Sequence, residues 1–200
     1  MKKSLVRRTG APVAVAFLRV AGGKFFDRRY LRGRHFTTSR AGWAWVLRSL
    51  FTQKLAGFNR HVPWPASPFI HISEPDGIRF HPDDLNNFQM WGTYFANQGG
   101  GLITIGRGTY IGPNVGIITT NHDPMNPDIH RAPADITLGR ACWIGMNSVV
   151  LAGVTLGDHT VVGAGSVVTR SYPEGHCILA GSPARKIRDL FDWSLREAAA

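Results

Sequence analysis

The fold is decided by the stretch LGRACWIGMNSVVLAGVTLGDHTVVGAGSVV, residues 138–168. An aliphatic residue returns there at every sixth position, and glycine directly follows it in four of six repeats. Neither an α-helix, with about 3.6 residues per turn, nor a simple strand, with a period of about two, produces this spacing. The aliphatic positions are Leu138, Ile144, Val150, Leu156, Val162 and Val168.

A six-residue period with glycine in phase predicts very short strands joined by tight turns, because glycine allows the positive φ that such turns need. The aliphatic residues would fill the interior, and stacked coils would bury one core that no single repeat could form. We therefore predict a β-helix, in an all-β dominated fold. The alternative is an antiparallel sandwich, which would not keep a strict phase of six over residues 138–168.

The same period extends toward the N-terminus through Ile105, Ile111 and Ile117, and it breaks once. Ile117 and Leu138 are 21 residues apart, which is not a multiple of six. The segment 121–135, NHDPMNPDIHRAPAD, is rich in Pro, Asn and Asp, as is typical of a surface loop. We predict an excursion loop over these residues, and a loop on a rigid scaffold is a natural place for functional side chains.

Charge divides the chain into two parts. The 200 residues include 23 Lys and Arg and 13 Asp and Glu, for a net charge of +10. Residues 1–60 carry fourteen cations and one acid (+13), whereas residues 61–200 carry nine cations and twelve acids (−3). A basic N-terminal extension over residues 1–60 predicts an anionic partner. We expect a β-helix domain over residues 61–186 and a short amphipathic C-terminal helix over residues 187–200.

A helical pattern lies within the basic extension, near residues 39–57. Ser39 is a candidate N-cap and Gly57 a candidate end. Apolar residues fall at helical spacing at Trp43, Val46, Leu47, Leu50 and Phe51. The accompanying cations are Arg40, Arg48 and Lys54. This composition is typical of an interfacial helix on an anionic membrane, and more often of a helix packed on its own domain.

The location of the protein follows from what the sequence lacks. No run of eighteen apolar residues occurs, so we expect no membrane-spanning helix. The two cysteines, Cys142 and Cys177, are close to two coils of eighteen apart, which puts them about 9–10 Å from each other. A disulfide needs Cα atoms within about 7 Å, so we expect free thiols. We predict a cytoplasmic protein, with peripheral contact at the inner membrane face through residues 1–60 as a hypothesis.

The run from Ile105 to Arg188 resembles the hexapeptide-repeat acyltransferases, in particular the maltose, galactoside and polysaccharide O-acetyltransferases. The motifs that carry the resemblance are IGRGTYIGPNV (105–115), TTNHD (119–123), CWIGMNSVVLAGVTLGDHTVVGAGSVVTR (142–170) and LAGSPARKIR (179–188). The segment FNRHVPWP (58–65) also resembles acyltransferases of surface-polysaccharide gene clusters. The resemblance implies a left-handed parallel β-helix and a homotrimer with active sites between neighbouring subunits. It also implies direct acetyl transfer from acetyl-CoA to a hydroxyl of a sugar or polysaccharide.

Such a transfer requires a base, because a sugar hydroxyl scarcely ionises at neutral pH. A histidine with a pKa near 6.5 fits this task and can return the proton to the leaving thiolate. The resemblance assigns this role to His122 of the TTNHD motif; the alternative is an ordinary exposed loop histidine. Asp123 could orient His122 or cap a turn, and both interpretations stay open. His130 is a candidate for the acceptor pocket.

The resemblance assigns further roles around this base. An amide side chain both donates and accepts, which suits an acceptor sugar, and an arginine fork can bond two phosphate oxygens. The assignments are Asn97 for the acceptor, the backbone N–H of Met146 for the thioester oxyanion, Trp143 for the pantetheine arm, and Ala164, Thr169, Arg170, Arg185 and Arg188 for the CoA groove. The simpler alternatives are a turn asparagine, a tryptophan packed between subunits and a charged tail.

Two other functions are weighed against acyl transfer. A zinc enzyme of the carbonic anhydrase type on the same fold needs three converging histidines. His122 and His159 are 37 residues apart, near two coils, but no third partner is evident. A non-catalytic β-helix scaffold would need none of the site residues. The chain has no nucleic-acid-binding motif, so we expect no nucleic-acid partner.

Overall fold

The computed structural model describes residues 11–190, and the side chains of residues 15–190. The chain divides into two compact units, with the boundary between Pro68 and Phe69. The sequence analysis had placed this boundary after residue 60. Each unit is described by itself below.

The N-terminal unit is helical. Its elements are α1 (Ala11–Phe25), a 3-10 turn (Arg28–Tyr30), α2 (Arg34–Thr37), α3 (Ala41–Ser49) and a π-helical continuation (Leu50–Leu55). Trp43 and Val46 of α3 are buried. Gly22 of α1 packs so tightly on Val46 that an added Cβ would lie 3.1 Å from its Cγ1 atom. Among residues 11–190, no helix is long and apolar enough to cross a bilayer.

The second unit consists of short strands in three sheets. Sheet A contains β1 (His71–Ile72), β3 (Tyr94–Ala96), β6 (Gly116–Ile118), β9 (Val149–Val150) and β12 (Val167–Val168). Sheet B contains β2 (Ile78–Arg79), β4 (Ile103–Ile105), β7 (Ile136–Leu138) and β10 (Thr155–Leu156). Sheet C contains β5 (Tyr110–Ile111), β8 (Trp143–Ile144), β11 (Val161–Val162), β13 (Cys177–Gly181) and β14 (Ala184–Asp189). Two 3-10 segments, Pro75–Gly77 and Pro82–Gln89, complete the unit.

From β5 to β12 the chain passes through the sheets in the order C, A, B and repeats, so each coil of this part contributes one strand to each sheet. The aliphatic residues predicted to face inward stack in register, as in the row Ile111, Ile144, Val162 and Leu179 of sheet C. All four are at most 1% exposed. The predicted coil of short parallel strands is therefore confirmed.

The glycines in phase with the period have a different role from the one predicted. None of them has a positive φ within the described residues. They are required instead by the close approach of neighbouring coils: a Cβ on Gly145 would lie 2.6 Å from the backbone nitrogen of Ala164. Positive φ is found at other corner positions, such as Asn147 (+59°) and Gly165 (+69°), one coil of eighteen residues apart.

The predicted C-terminal helix is wrong where the structure describes it. Ile187 lies in β14, which pairs antiparallel with β13 through partners such as Ile178 and Arg188. Pairing with β13 satisfies backbone groups that a helix would have to satisfy within itself. The rest of that prediction, residues 191–200, lies outside the described residues. Cys142 and Cys177 are both buried free thiols, as predicted, and burial raises the pKa of each.

Candidate active site

The excursion between β6 and β7, residues 119–135, folds back on itself as a short hairpin. The backbone N–H of Asp123 donates to the carbonyl of Ile129 (2.8 Å), and that of Arg131 donates to the carbonyl of Asn121 (2.9 Å). This pairing places His122 opposite His130, with 4.2 Å between their ring centroids. The hairpin therefore holds two imidazoles side by side.

The His122 ring is held in one tautomer by the loop itself. Its Nδ1 atom lies 2.6 Å from the carbonyl oxygen of Pro127. A carbonyl oxygen can only accept, so Nδ1 carries the proton and donates. The lone pair is therefore on Nε2, the atom that a general base must present.

Asp123 fastens the hairpin and does not orient His122. Its carboxylate accepts the backbone N–H groups of Met125 (2.9 Å) and Asn126 (3.3 Å) and pairs with the Arg131 guanidinium (3.1 Å). These bonds, the Met125 N–H first and then the Arg131 side chain, lower the pKa of Asp123. Of the two roles that the sequence left open, the structure gives Asp123 the one of capping the turn.

A cleft of about 260 Å³ lies beside His122. It is lined by Tyr94, Ala96, Gln98, Ile118, Thr120, His122 and His130. The strand period of two explains this set. Residues 94, 96 and 98 alternate along β3 and its continuation, and residues 118, 120 and 122 alternate along β6 and its continuation, so both sets lie on the same face of neighbouring strands. Gln98 and Thr120 were missed by the sequence analysis; this alternation is the signal that could have found them.

Asn97 does not line the cleft, so its predicted role in acceptor binding is not supported. The side chain is fully buried. Its Oδ1 accepts the backbone N–H of Glu74 (3.0 Å), and its Nδ2 donates to the carbonyls of Glu74 (2.7 Å) and Gly101 (3.2 Å). Asn97 is a structural residue that ties two backbone segments together.

Trp143 and Arg188, both predicted for the CoA groove, lie in one outward-facing row that crosses the strands of sheet C. Trp143 is 60% exposed and is in register with Val161, which pairs with Ile178, which pairs with Arg188. Residues in register point to the same face of a sheet. Three strand steps of ~4.8 Å separate Trp143 from Arg188 by about 14 Å. Arg185 pairs with Ala180 and is exposed on the same strand as Arg188.

Met146 and Ala164 lie at the corner between sheets C and A, one coil apart. Among the described residues, the backbone N–H of Met146 has no hydrogen-bond partner, and the side chain is 48% exposed. This N–H is free to donate a hydrogen bond to a ligand oxygen. It is thus consistent with the role of oxyanion donor.

The predicted site residues do not all converge within one chain. Each strand of sheet A runs from the corner with sheet C to the corner with sheet B. Met146 precedes β9, whereas His122 follows β6, at the opposite end of the sheet. Five residue steps, as from Met146 to Leu151, span at most about 16 Å. Thr169 and Arg170 lie at the His122 end of the sheet, where the Arg170 Nε donates to the Tyr172 hydroxyl (2.8 Å).

The other histidines form no metal centre with His122. His159 is at the corner between sheets B and C, where its ring stacks on His176 with 4.9 Å between centroids. In the part of the chain that the structure describes, no three His, Cys, Asp or Glu side chains cluster as metal ligands. The zinc alternative required His122 and His159 to converge, and the structure places them at different corners.

Fold and site together define a parallel β-helix protein with a histidine-bearing loop. Residues 135–170 match the family described as bacterial transferase hexapeptide (six repeats). This segment carries the repeat of that family, and the chain is similar to O-acetyltransferases over the region that contains it. It is 40% identical over 95 residues to the galactoside O-acetyltransferase of Escherichia coli (strain K12), covering 45% of each chain.

Two further comparisons agree. The chain is 37% identical over 107 residues to WcaF of Escherichia coli (strain K12), named as a colanic acid biosynthesis acetyltransferase, covering 54% of this chain and 53% of that one. The chain thus spans about half the length of the curated relatives it matches. Among solved structures, a galactoside acetyltransferase in complex with coenzyme A shares the fold, with a TM-score of 0.56 and 23% identity over 95% of this chain and 87% of that one.

Proposed function

We propose that the protein is an acetyl-CoA-dependent O-acetyltransferase that acetylates a hydroxyl of a sugar or polysaccharide intermediate. The observation that carries this proposal is His122, whose Nδ1 is bound to the Pro127 carbonyl while Nε2 is left as a base beside an open cleft. The named relatives are O-acetyltransferases or polysaccharide-biosynthesis acetyltransferases, which supports the same class of reaction.

Two groups of this sequence would supply the proton and charge functions for such a transfer. Acetyl-CoA, when bound, supplies the activated thioester. His122 Nε2 would take the proton of the acceptor hydroxyl as that oxygen attacks, and would return it to the departing thiolate. The free N–H of Met146 would donate to the carbonyl oxygen as negative charge develops on it.

The outer face of sheet C fits a CoA molecule. Trp143 offers a large exposed ring for the apolar pantetheine arm. Arg185 and Arg188 are placed along the same face, where their guanidinium groups suit phosphate oxygens. The direction of this row, across the strands, supports a ligand lying along the axis of the coil. Ala164, Thr169 and Arg170 stay predicted groove residues.

We further propose a homotrimer of left-handed β-helices with composite active sites. The support is the separation of His122 from Met146 at opposite ends of sheet A. One chain cannot bring both to the same thioester, whereas a neighbouring copy could supply the missing half. The left-handed form is what the resemblance to the hexapeptide-repeat acyltransferases implies.

The test is acetyl transfer by the full chain. Purified protein is given acetyl-CoA and a panel of galactosides, other free sugars and oligosaccharides, and thiol release is followed. We expect His122→Asn to keep its affinity for CoA by calorimetry and to lose about 10²–10⁴-fold in rate. His176→Asn is the matched control, since asparagine tolerates the positive φ at that position.

Two outcomes contradict the proposal. The first is wild-type protein that binds no CoA, which would favour the non-catalytic scaffold. The second is a His122→Asn variant with full activity, which would remove the base from the mechanism while leaving CoA binding intact.

A further inference from the structure

The N-terminal unit is strongly basic over its described residues. Residues 11–68 contain ten Lys and Arg and a single acid, Asp27, which pairs with Arg29. Eight of these ten cations are exposed: Arg19, Lys24, Arg28, Arg29, Arg32, Arg34, Arg40 and Arg60. The unit therefore presents a positive surface with almost no compensating charge.

The same unit exposes apolar side chains at helical spacing. Leu47, Phe51 and Leu55, here named the outer stripe, are 59%, 62% and 70% exposed. Their spacing of four residues places them on one face of α3 and its continuation. Phe17 and Val20 of α1 are similarly exposed, at a spacing of three.

The outer stripe is not the face by which α3 packs in its own unit. Trp43, Val46 and Gln53 face inward and are at most 4% exposed. The helix is thus apolar on its inner face and on an outer one. Contiguous exposed apolar surface marks an interaction site in soluble proteins.

The cations close to the stripe in sequence differ in availability. Lys54 donates to the carbonyl of Arg60 (2.9 Å), and burial, followed by the nearby Arg60 charge, lowers the pKa of Lys54. Burial also lowers the pKa of Arg48. The positive surface is therefore supplied by the eight exposed cations rather than by Arg48 and Lys54.

A second feature of this unit combines charge with apolar surface. A cleft of about 410 Å³ is lined by Arg19, Arg28, Val20 and Leu31. Guanidinium groups beside aliphatic side chains suit a phosphate joined to an acyl chain. This is the chemistry of a phospholipid.

We propose that the outer stripe docks on an anionic lipid bilayer, with its apolar side chains entering the boundary between headgroups and acyl chains. A unit that combines an exposed apolar stripe with exposed cations binds such an interface without spanning it. A second copy of the unit is a poor occupant, because two positive surfaces would face each other. Nucleic acid would use the cations but not the stripe. The proposal goes beyond acetyl transfer and does not depend on it.

The experiment is vesicle flotation of the full chain, with phosphatidylcholine vesicles and with vesicles of equal parts phosphatidylcholine and phosphatidylglycerol. We expect wild-type protein to float with the anionic vesicles only, and less so at high salt because charge is screened. Phe51→Ser and Leu55→Ser should each weaken this binding by about tenfold, since each removes an apolar side chain from the interface. Ile187→Ser, a 63% exposed apolar residue of the other unit, is the matched control and should float like wild type.

Three results overturn the proposal. Wild-type protein that fails to float with the anionic vesicles shows that the surface does not bind lipid. Equal flotation of Phe51→Ser and wild type shows that charge alone, without the stripe, accounts for binding. Stripe variants that float normally but change the oligomeric state show that another copy covers the stripe. Circular dichroism of each variant checks folding, and Arg19→Gln with Arg28→Gln tests the charge independently of the stripe.

Discussion

Backbone atoms of the loop, rather than a carboxylate, set the state of His122. The Pro127 carbonyl accepts from Nδ1 at 2.6 Å, and it stays an acceptor at every pH. Because a carbonyl oxygen can only accept, this bond fixes which ring nitrogen of the neutral imidazole carries the proton. The position of Pro127 is in turn decided by the turn that Asp123 caps. The position of the proposed base therefore depends indirectly on Asp123, which does not contact the His122 ring.

We predict that Asp123→Ala lowers kcat by about 10–100-fold, because a misplaced base loses its alignment with the acceptor hydroxyl. Asp123→Asn keeps an oxygen for the Met125 and Asn126 N–H groups and loses only the charge on the Arg131 contact. It should cost less than Asp123→Ala. Steady-state rates at saturating acetyl-CoA test this order. Equal activity of Asp123→Ala and wild type would show that the hairpin does not need the cap.

The pair Asn97 and Gln98 shows the limit of a local pattern. The resemblance assigns a role to Asn97 and none to Gln98, because the pattern does not say which of two adjacent side chains faces outward. Asn97 is buried by three hydrogen bonds to backbone groups of Glu74 and Gly101. Glu74 is distant from Asn97 in sequence, and Gly101 follows it in an irregular turn. Such contacts are not encoded in a local pattern. His122, by contrast, could be found because it lies in the one segment that breaks the repeat.

At the scale of the element, the repeat predicts the coil well because each position is constrained by the same position in the next coil. The aliphatic residues must face inward to be buried, so their phase alone locates the strands. The role of glycine was predicted less well. Sequence shows that a side chain is absent at Gly145, and the approach of the next coil supplies the reason.

We predict that Gly145→Ala lowers the melting temperature by roughly 10 °C, because the new Cβ would lie 2.6 Å from the Ala164 nitrogen and overpacking of this kind costs about 3 kcal/mol. Gly163→Ala is the matched control. Its nearest neighbour is a side-chain atom of Ala180 at 3.3 Å, so its melting temperature should stay within about 3 °C of wild type. Thermal scans at one protein concentration compare the two. Equal shifts in melting temperature for the two variants would show that neighbouring coils move apart at Gly145 at little energetic cost.

The ends of the β-helix are where the pattern stops being informative. Apolar residues at Ile187 and Leu190 suggest a helix when read alone. Without β14, β13 would be the edge strand of sheet C. In the structure, β14 pairs antiparallel with β13 and covers this edge. An exposed strand edge favours such a cover, so a tertiary demand overrides the local pattern at Ile187.

At the scale of the whole molecule, the placement of functional groups has a consequence for assembly. His122, the proposed base, is on the loop at one end of sheet A, and the free amide of Met146 and the row that contains Trp143 are beyond the other end. If these groups act in one reaction, as proposed, a single chain has two half-sites and no complete one. Rings of identical subunits pair the two halves at every interface.

This arrangement predicts complementation between two defective variants. His122→Ala and Trp143→Ala subunits are mixed one to one by partial denaturation and refolding, and activity is measured at limiting acetyl-CoA. If the base and the tryptophan of one site come from neighbouring subunits, about a quarter of the sites in randomly mixed trimers contain both intact residues. The mixture should then be far more active than either variant alone. The control is the double variant His122→Ala, Trp143→Ala mixed with His122→Ala, which leaves no intact base. A mixture that is no more active than the average of its components would place both residues in one subunit, and the separation across sheet A would then have to close by a change of conformation.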